Sequence, residues 1–367
     1  MKKIAAIVSY KYLPPESGGQ KYISNFLKHL ATCVNLTVIG TNNNETSGVQ
    51  KYAFKKWLVK NPFSYIDIKG LFRMYNYIKE NKISTVIIEH PYIGWMGILL
   101  KKILGVKIII QTHNVEYLRF KTLHKWWWPI LKIYEKWVLK KADVILCISD
   151  EDKTLMMGKL GVCNSKCFIV PFGINQHNRP NDKKQNKELI CKRHGLDSSK
   201  TLLLFNGLLD YKPNTEAVEF IIENIIPKLK EANFKFNLTI AGKNLPPILE
   251  NKLTAFDNII YTGFVEDIDK YIKAADIFLN PVISGGGVKT KLIEALGMNC
   301  TCISTASGAV GIDKNVCGNK LIITEDHDWE IFSKEIILAS KKNEDISESF
   351  YSKYNWTEII KSSQYFL

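Results

Sequence analysis

FLNPVISGGGVKTKLIEALGMNCTCISTASGAVG, residues Phe278 to Gly311, reads as strand, glycine loop, helix, strand and glycine turn, and the rest of the chain is read outward from it. Gly285-Gly286-Gly287 separates a short apolar run from the helical pattern Leu292, Ile293, Leu296. Backbone without Cβ atoms can close on a ligand at a helix start, where amides and the helix dipole favour an anion such as phosphate. Lys289 and Lys291 fall in the first helical turn, where the dipole disfavours cations by roughly 0.3 to 1 kcal/mol. Their placement suggests a missing negative partner. Glu294, about one turn further on, can accept hydrogen bonds from neutral hydroxyls such as those of a ribose. A plain crossover with surface lysines and a solvated glutamate would account for the same residues without a ligand.

Around this unit the chain alternates strand and helix patterns. In the first half, Ile4–Val8, Leu36–Ile39, Thr85–Ile88, Lys107–Gln111 and Val144–Ile148 are β-rich apolar runs; in the second, residues 202–205, 236–241, 259–261, 277–279, 301–303 and 321–323 repeat the rhythm. Such alternation predicts two doubly wound parallel sheets, in which ligands bind beyond the carboxyl ends of the strands. The residues just past those ends are therefore the candidates. They include Gly18-Gly19 ahead of a helix Gln20–Leu30, His113 after the Ile110 run, Asn206-Gly207, Gly242, and Gly263-Phe264-Val265. Each glycine alone is only a turn signal. The polar stretch from Pro171 through Arg179-Pro180 to Lys187 reads as the interdomain linker.

Residues Pro281–Ile312 resemble the donor-site signature of the retaining glycosyltransferases of family 4, an E-x7-E pattern before an apolar strand and a glycine turn. Glu294 matches the second glutamate, and Gly286 stands where the first would be, as in the branch carrying Gly-Gly-Gly-x-basic-x-Lys. The T-H-N-V-E-Y-x-R-F run, Thr112 to Phe120, is similar to the family's motif at the active-site cleft. The resemblance spans nearly the whole chain and implies the GT-B architecture: an α/β protein of two Rossmann-like doubly wound parallel-sheet domains facing across a cleft. It assigns residues 1–172, joined by a C-terminal helix 347–367, to the acceptor domain and 173–346 to the donor domain. It implies transfer of a sugar from a nucleoside-diphosphate sugar to an acceptor hydroxyl, with retention and with no cofactor or obligatory metal. It places His113 at the sugar, Glu294 on the ribose, and Lys289, Lys291 and the amides of Gly286, Gly287 and Val288 on the diphosphate. Gly18, Gly19, Gly207, Lys212, Gly242, Gly263 and Val265 complete the donor-binding set. Leu208 departs from the pattern, since many relatives have an arginine there, and Lys212 is the nearby cation at a different spacing. A nucleotide-sugar epimerase or phosphorylase, or a degenerate partner subunit, would share the fold.

Composition narrows the setting. The chain of 367 residues is 46% apolar, enough for a large core, and its length favours two domains. Lys101-Lys102 and Lys107 interrupt the most apolar region, so no membrane span is expected, and MKKIAAIVSYKY reads as a first strand rather than a signal peptide. A cytoplasmic protein, or one peripheral on the inner face of the cell membrane, is expected. Residues 1–170 hold 26 Lys+Arg against 11 Asp+Glu, whereas residues 171–367 hold 24 against 25. A cationic first half points to an anionic partner: a lipid-linked or polymeric glycan acceptor, or an anionic membrane surface. Nucleic acid would suit the charge, but no recognisable module is present. HKWWWPILKIYEKWVLKKAD predicts a basic amphipathic helix, with Trp126, Ile130, Ile133 and Trp137 on one stripe and Lys132, Lys136 and Lys140 on another face. That stripe suits either a membrane interface or the core. Asp150-Glu151-Asp152 after Ser149 reads as a capped helix start rather than a metal triad. Cys163 and Cys167 lack the histidines of a zinc site, and Cys300 and Cys302 share one face of a strand.

Overall fold

The computed structural model describes residues 1–46, 51–60 and 62–366. The chain divides into unit 1, Met1–Gly173 with Trp356–Leu367, and unit 2, Ile174–Asn355. Unit 1 carries β1 (Lys3–Val8), β2 (Asn35–Thr41), β3 (Ala53–Leu58), β4 (Thr85–Glu89), β5 (Lys107–Gln111), β6 (Val144–Cys147) and β7 (Cys167–Ile169). They form one parallel sheet ordered β3-β2-β1-β4-β5-β6-β7. Every residue of β4 is buried, as befits a central strand covered on both faces by helices.

Two of these strands escape the pattern reading. In β3, Lys55 and Lys56 break the apolar run; the strand lies at the sheet edge, where lysines discourage pairing with another chain. β7 has three residues, too few to show a period.

Unit 2 carries β8 (Thr201–Asn206), β9 (Phe236–Ala241), β10 (Ile259–Gly263), β11 (Ile277–Asn280), β12 (Thr301–Thr305) and β13 (Leu321–Thr324), parallel and ordered β10-β9-β8-β11-β12-β13. Cys300 and Cys302 are buried.

Two segments differ from the sequence reading, while the first boundary falls one residue from the expected place. The stretch read as linker contains the start of a helix, Lys183–His194, which buries Ile190 and Cys191 and ties Lys187 to Asp276 at 2.7 Å. Its polar surface disguises a narrow apolar stripe. At the C-terminus, only the segment from Trp356 belongs to unit 1. The helix Glu348–Tyr354 stays in unit 2, where the Tyr351 hydroxyl donates to Gly297 O at 3.1 Å. Asn355 is extended and breaks the helix. Beyond it the helix Trp356–Ser363 packs on the helix Gly18–Leu30, with the buried Trp356 ring 5.3 Å from that of Tyr22. A Cβ on Gly173 would lie 2.5 Å from Trp356, so the glycine is needed for this approach. Leu367, the end of the expected C-terminal helix, lies outside the described residues. No described helix is long and apolar enough to cross a membrane.

Candidate active site

In unit 2 the strand order reverses between β8 and β11, so the loops that follow these neighbours diverge and open a crevice at their carboxyl ends. The strands end in Asn206 and Asn280, each two residues past the last paired positions Leu204 and Phe278. The Oδ1 atoms of both asparagines are buried and without a protein partner among the described residues. A buried amide oxygen without a donor costs roughly 1 to 3 kcal/mol, which a ligand N–H or O–H would relieve.

The glycine loop follows Asn280. Gly285 and Gly287 adopt φ of 82° and 75°, a region glycine enters without strain. These turns aim the carbonyls of Gly285 and Gly287 at Lys289 Nζ, at 2.8 and 3.0 Å. Lys289 caps the helix Thr290–Gly297, and Lys291 sits in its first turn. Lys291 Nζ donates to Asn206 O at 3.1 Å and to Asn214 Oδ1 at 3.0 Å, and lies 4.1 Å from the centre of the Phe205 ring. Both ammonium groups are thus held by neutral dipoles, with no carboxylate among these contacts. Burial pushes the Lys289 pKa down to about 8, and burial together with the charge of Lys289 pushes that of Lys291 down to about 7. Glu294 is half-buried one turn beyond Lys291, on the same face of the helix.

Three of the glycines read from strand ends form one backbone stack. Gly207 N donates to Ala241 O at 3.1 Å and Gly242 N to Gly263 O at 2.8 Å. A Cβ on Gly242, which has φ of 151°, would fall 1.8 Å from Gly207 O. Gly242→Ala is therefore predicted to lower the stability of unit 2 by about 3 kcal/mol or more, the scale of a steric clash at a special backbone position. Thermal melting of the variant checks this. Val265 is half-buried two residues past Gly263. Lys212 stands apart from the lysine pair: its side chain is 85% exposed and its ammonium faces Glu216 at 3.6 Å. Glu216 also accepts the Ser284 hydroxyl at 2.6 Å, which ties the first helix after β8 to the glycine loop.

In unit 1 the order reverses between β1 and β4, and a buried polar cluster occupies that point. His113, just past β5, shares a hydrogen bond with Glu89 at the end of β4, Nε2 to Oε2, 2.9 Å. The remaining atoms, His113 Nδ1 and Glu89 Oε1, are buried without protein partners among the described residues. His90 stacks on His113 with ring centroids 4.2 Å apart and is itself held by the Tyr10 hydroxyl at 2.8 Å and by Glu116 at 3.0 Å. Burial and the neighbouring His90 push the His113 pKa down; burial pushes that of Glu89 up. Glu116 is buried, which by itself raises its pKa, but His90, Tyr92 and Arg119 outweigh this and bring it to about 2.

The helix Gly18–Leu30 begins beside this cluster. Ser17 caps it, accepting from Gln20 N, while the Gln20 side chain reaches back to Ser17 N. Gly18 and Gly19 occupy the first turn, whose amides a helix leaves without internal partners. A Cβ on Gly19 would lie 3.8 Å from His113 Nδ1, so two residues singled out independently in the sequence meet here. Glu89, His90, Tyr10, Asn214 and Asn280 carry no motif and were missed, and Asn206 was named only with Gly207 as a strand end. Position just past a strand end was the available signal for His90, and position at a strand end for Glu89, Asn206 and Asn280. The Asp150-Glu151-Asp152 run opens a helix capped by Ser149 Oγ, which accepts from Asp152 N at 3.1 Å.

Two Rossmann-like units, each with a polar cluster at its switch point, give a two-unit α/β fold of the GT-B class. Comparison with known proteins gives the reaction class. Residues 17–177 match the family model of Glycosyltransferase Family 4 and residues 200–341 that of Glycosyl transferases group 1. The O-antigen biosynthesis glycosyltransferase WbnH of Escherichia coli is 25% identical over 306 residues, 79% of this chain and 80% of the relative. The UDP-Gal:alpha-D-GlcNAc-diphosphoundecaprenol alpha-1,3-galactosyltransferase of E. coli is 24% identical over 276 residues, 71% of this chain and 65% of the relative. The solved structure of HepE from Anabaena in complex with UDP and glucose superposes with a TM-score of 0.70 at 10% identity, covering 100% of this chain and 99% of the other, a likeness of fold. The chain belongs to the glycosyltransferases of the GT-B fold.

Proposed function

We propose that this glycosyltransferase moves a sugar from a nucleoside-diphosphate sugar to a hydroxyl of a lipid-linked or polymeric glycan, with retention at the anomeric carbon and no obligatory metal. The observation that carries the donor assignment is the pair Lys289 and Lys291, two desolvated cations held on neutral carbonyl and amide oxygens at the switch point of unit 2. A pyrophosphate would supply the opposite charge that the two ammonium groups do not meet in these contacts. The relative named for UDP-Gal and the fold neighbour holding UDP support a uridine diphosphate donor. The basic first half, the O-antigen relative and the diphosphoundecaprenol relative support an anionic, membrane-borne acceptor at the cytoplasmic face, in cell-surface polysaccharide assembly.

In this reading the bond from the anomeric carbon to the phosphate oxygen breaks as the bond to the acceptor oxygen forms. The acceptor proton passes to the departing phosphate, and no side chain is assigned as general base. Negative charge grows on the diphosphate, where Lys289, Lys291 and the helix start are fixed in advance; one such donor is worth about 10² to 10³ in rate. Glu294 holds the ribose, and His113 addresses the sugar.

Incubating the isolated chain with a panel of UDP-sugars and lipid-linked acceptors tests the reading, with the anomeric configuration read by NMR. Glycosylated product of retained configuration is expected; donor consumption without a glycosylated acceptor would point to epimerase chemistry. Glu294→Ala should weaken nucleotide binding about ten- to hundredfold, from the roughly 1.5 to 3 kcal/mol of hydrogen bonds to a charged group, at an unchanged melting temperature. Unchanged calorimetric binding would refute the ribose assignment.

A further inference from the structure

The helix Trp128–Lys141 buries Leu131, Glu135, Val138 and Leu139 against its own unit. Its opposite stripe and the turn before it stand in solvent: Trp126 on the turn and Ile130, Ile133 and Trp137 on the helix are exposed, Trp126 by 82% and Ile133 by 72%. A second apolar edge lies on the turn Phe63–Ile66 and the start of the helix Ile68–Glu80, where Phe63, Ile66, Ile68 and Phe72 are each at least 60% exposed. One aromatic seam joins the two edges. Tyr65 lies against Tyr92 with ring centroids 5.5 Å apart, Trp95 Nε1 donates to Tyr65 O at 2.8 Å, and the Tyr134 hydroxyl donates to Tyr92 O at 2.8 Å. Eight large apolar side chains on adjoining elements leave a surface that water hydrates unfavourably until something covers it.

Charge identifies what covers it. Residues 59–75 and 121–141 together carry nine Lys+Arg and two Asp+Glu. Both acids are buried and occupied by backbone. Asp67 accepts from Gly70 N at 2.8 Å and Val59 N at 3.0 Å, and Glu135 accepts from the amides of Glu116 and Tyr117, both at 2.9 Å. The outward charge of these segments is therefore all positive. A second copy docked by a two-fold axis would set these cations against their own kind. An anionic headgroup layer neutralises them, and tryptophan and lysine are both favoured at that depth.

We infer that the Trp126–Trp137 stripe and the Phe63–Phe72 edge form one docking face for an anionic lipid bilayer. The face lies outside the donor machinery and stands whether or not the donor assignment does. The Tyr92 side chain of the seam donates its hydroxyl to Glu116 at 2.5 Å, so the docked surface backs directly onto the polar cluster around His90 and His113. A bilayer on this face would bring a lipid-anchored hydroxyl close to that cluster.

Sedimentation of the full chain with vesicles of phosphatidylcholine, alone or with a quarter phosphatidylglycerol, tests the inference. Binding is expected to the mixed vesicles and to be much weaker to the neutral ones. Lys136→Gln, Lys140→Gln and Lys141→Gln, which flank the stripe on the helix, should together lower partitioning onto mixed vesicles by about a hundredfold. Trp126→Ser with Ile133→Ser should lower it by about tenfold or more, and so, independently, should Phe63→Ser with Phe72→Ser. Because these side chains are exposed, circular dichroism, melting and UDP binding should not change. Equal partitioning onto both kinds of vesicle would overturn the inference. So would a wild-type dimer in vesicle-free buffer that the serine variants dissociate, since the occupant would then be a second copy of the chain.

Discussion

Lys291→Met should weaken binding of UDP about a hundredfold and lower kcat by about 10² to 10³, the range for removing one fixed charge donor at a developing oxyanion. Methionine keeps the length and the contact with the Phe205 ring but removes the ammonium. The argument rests on how the cation is kept. Lys291 lies over Phe205 with only Asn206 O and Asn214 Oδ1 as acceptors, and burial with the charge of Lys289 leaves its pKa at about 7. Near neutral pH, without a neighbouring anion, the proton is therefore only partly present. A bound diphosphate favours the charged form and raises that pKa, so binding takes up protons. Donor affinity should be strongest below about pH 7 and fall as pH rises through the window set by Lys291 near 7 and Lys289 near 8. In Lys291→Met the lower part of that pH dependence should disappear while the part due to Lys289 remains.

His113→Ala should lower kcat by about 10²-fold with little change in nucleotide affinity, as for loss of a group that orients the reacting sugar. Glu89 extends this to a residue that no motif marks. The Glu89–His113 pair is buried; burial pushes the carboxyl pKa up and the imidazole pKa down, and both shifts favour the uncharged forms. With both groups uncharged, the carboxylic acid donates to Nε2 and the remaining ring proton sits on Nδ1, beside Gly19. In the proposed function that N–H is the donor His113 presents to a substrate oxygen. As pH rises through the raised pKa of Glu89, the carboxylate instead accepts from Nε2–H, and Nδ1 loses its proton. Activity should fall on that alkaline limb. Glu89→Gln keeps an N–H donor to Nε2 and so should retain activity within about tenfold while flattening the limb; Glu89→Leu, which frees the tautomer, should match His113→Ala. A merely structural Glu89 would change melting in both variants and shift neither profile.

How much of this was readable beforehand depends on the scale of the interaction. The run Phe278–Gly311 already contained the strand, loop, helix and strand in order, because glycine punctuation and apolar period are local. Parallel-sheet architecture in both halves followed from the same rhythm. The edge strand β3 was hidden by Lys55 and Lys56, whose job is to stay unpaired, and the helix Lys183–His194 by a surface almost wholly polar. Sequence singled out Lys289 and Lys291 as misplaced cations but could not show that carbonyls of Gly285, Gly287 and Asn206 hold them, since those contacts depend on positive φ and on a strand 85 residues away. Glu89 and His90 carried only their position as a signal, for the same reason: each looks like the end of a strand until β4 and β5 set them against His113 and Glu116. On the amphipathic helix the spacing was right while the direction was undetermined, because Leu131, Glu135 and Val138 turned out to be the buried side.

Calorimetric titration of UDP into the chain at pH 7.5, in two buffers of different ionisation enthalpy, tests the lysine-gripped diphosphate site most directly. The predicted outcome is net uptake of protons on binding, reduced in Lys291→Met together with a large loss of affinity. Binding of equal strength in wild type and Lys291→Met, with no proton exchanged in either, would mean that the glycine loop and its two cations do not hold the nucleotide.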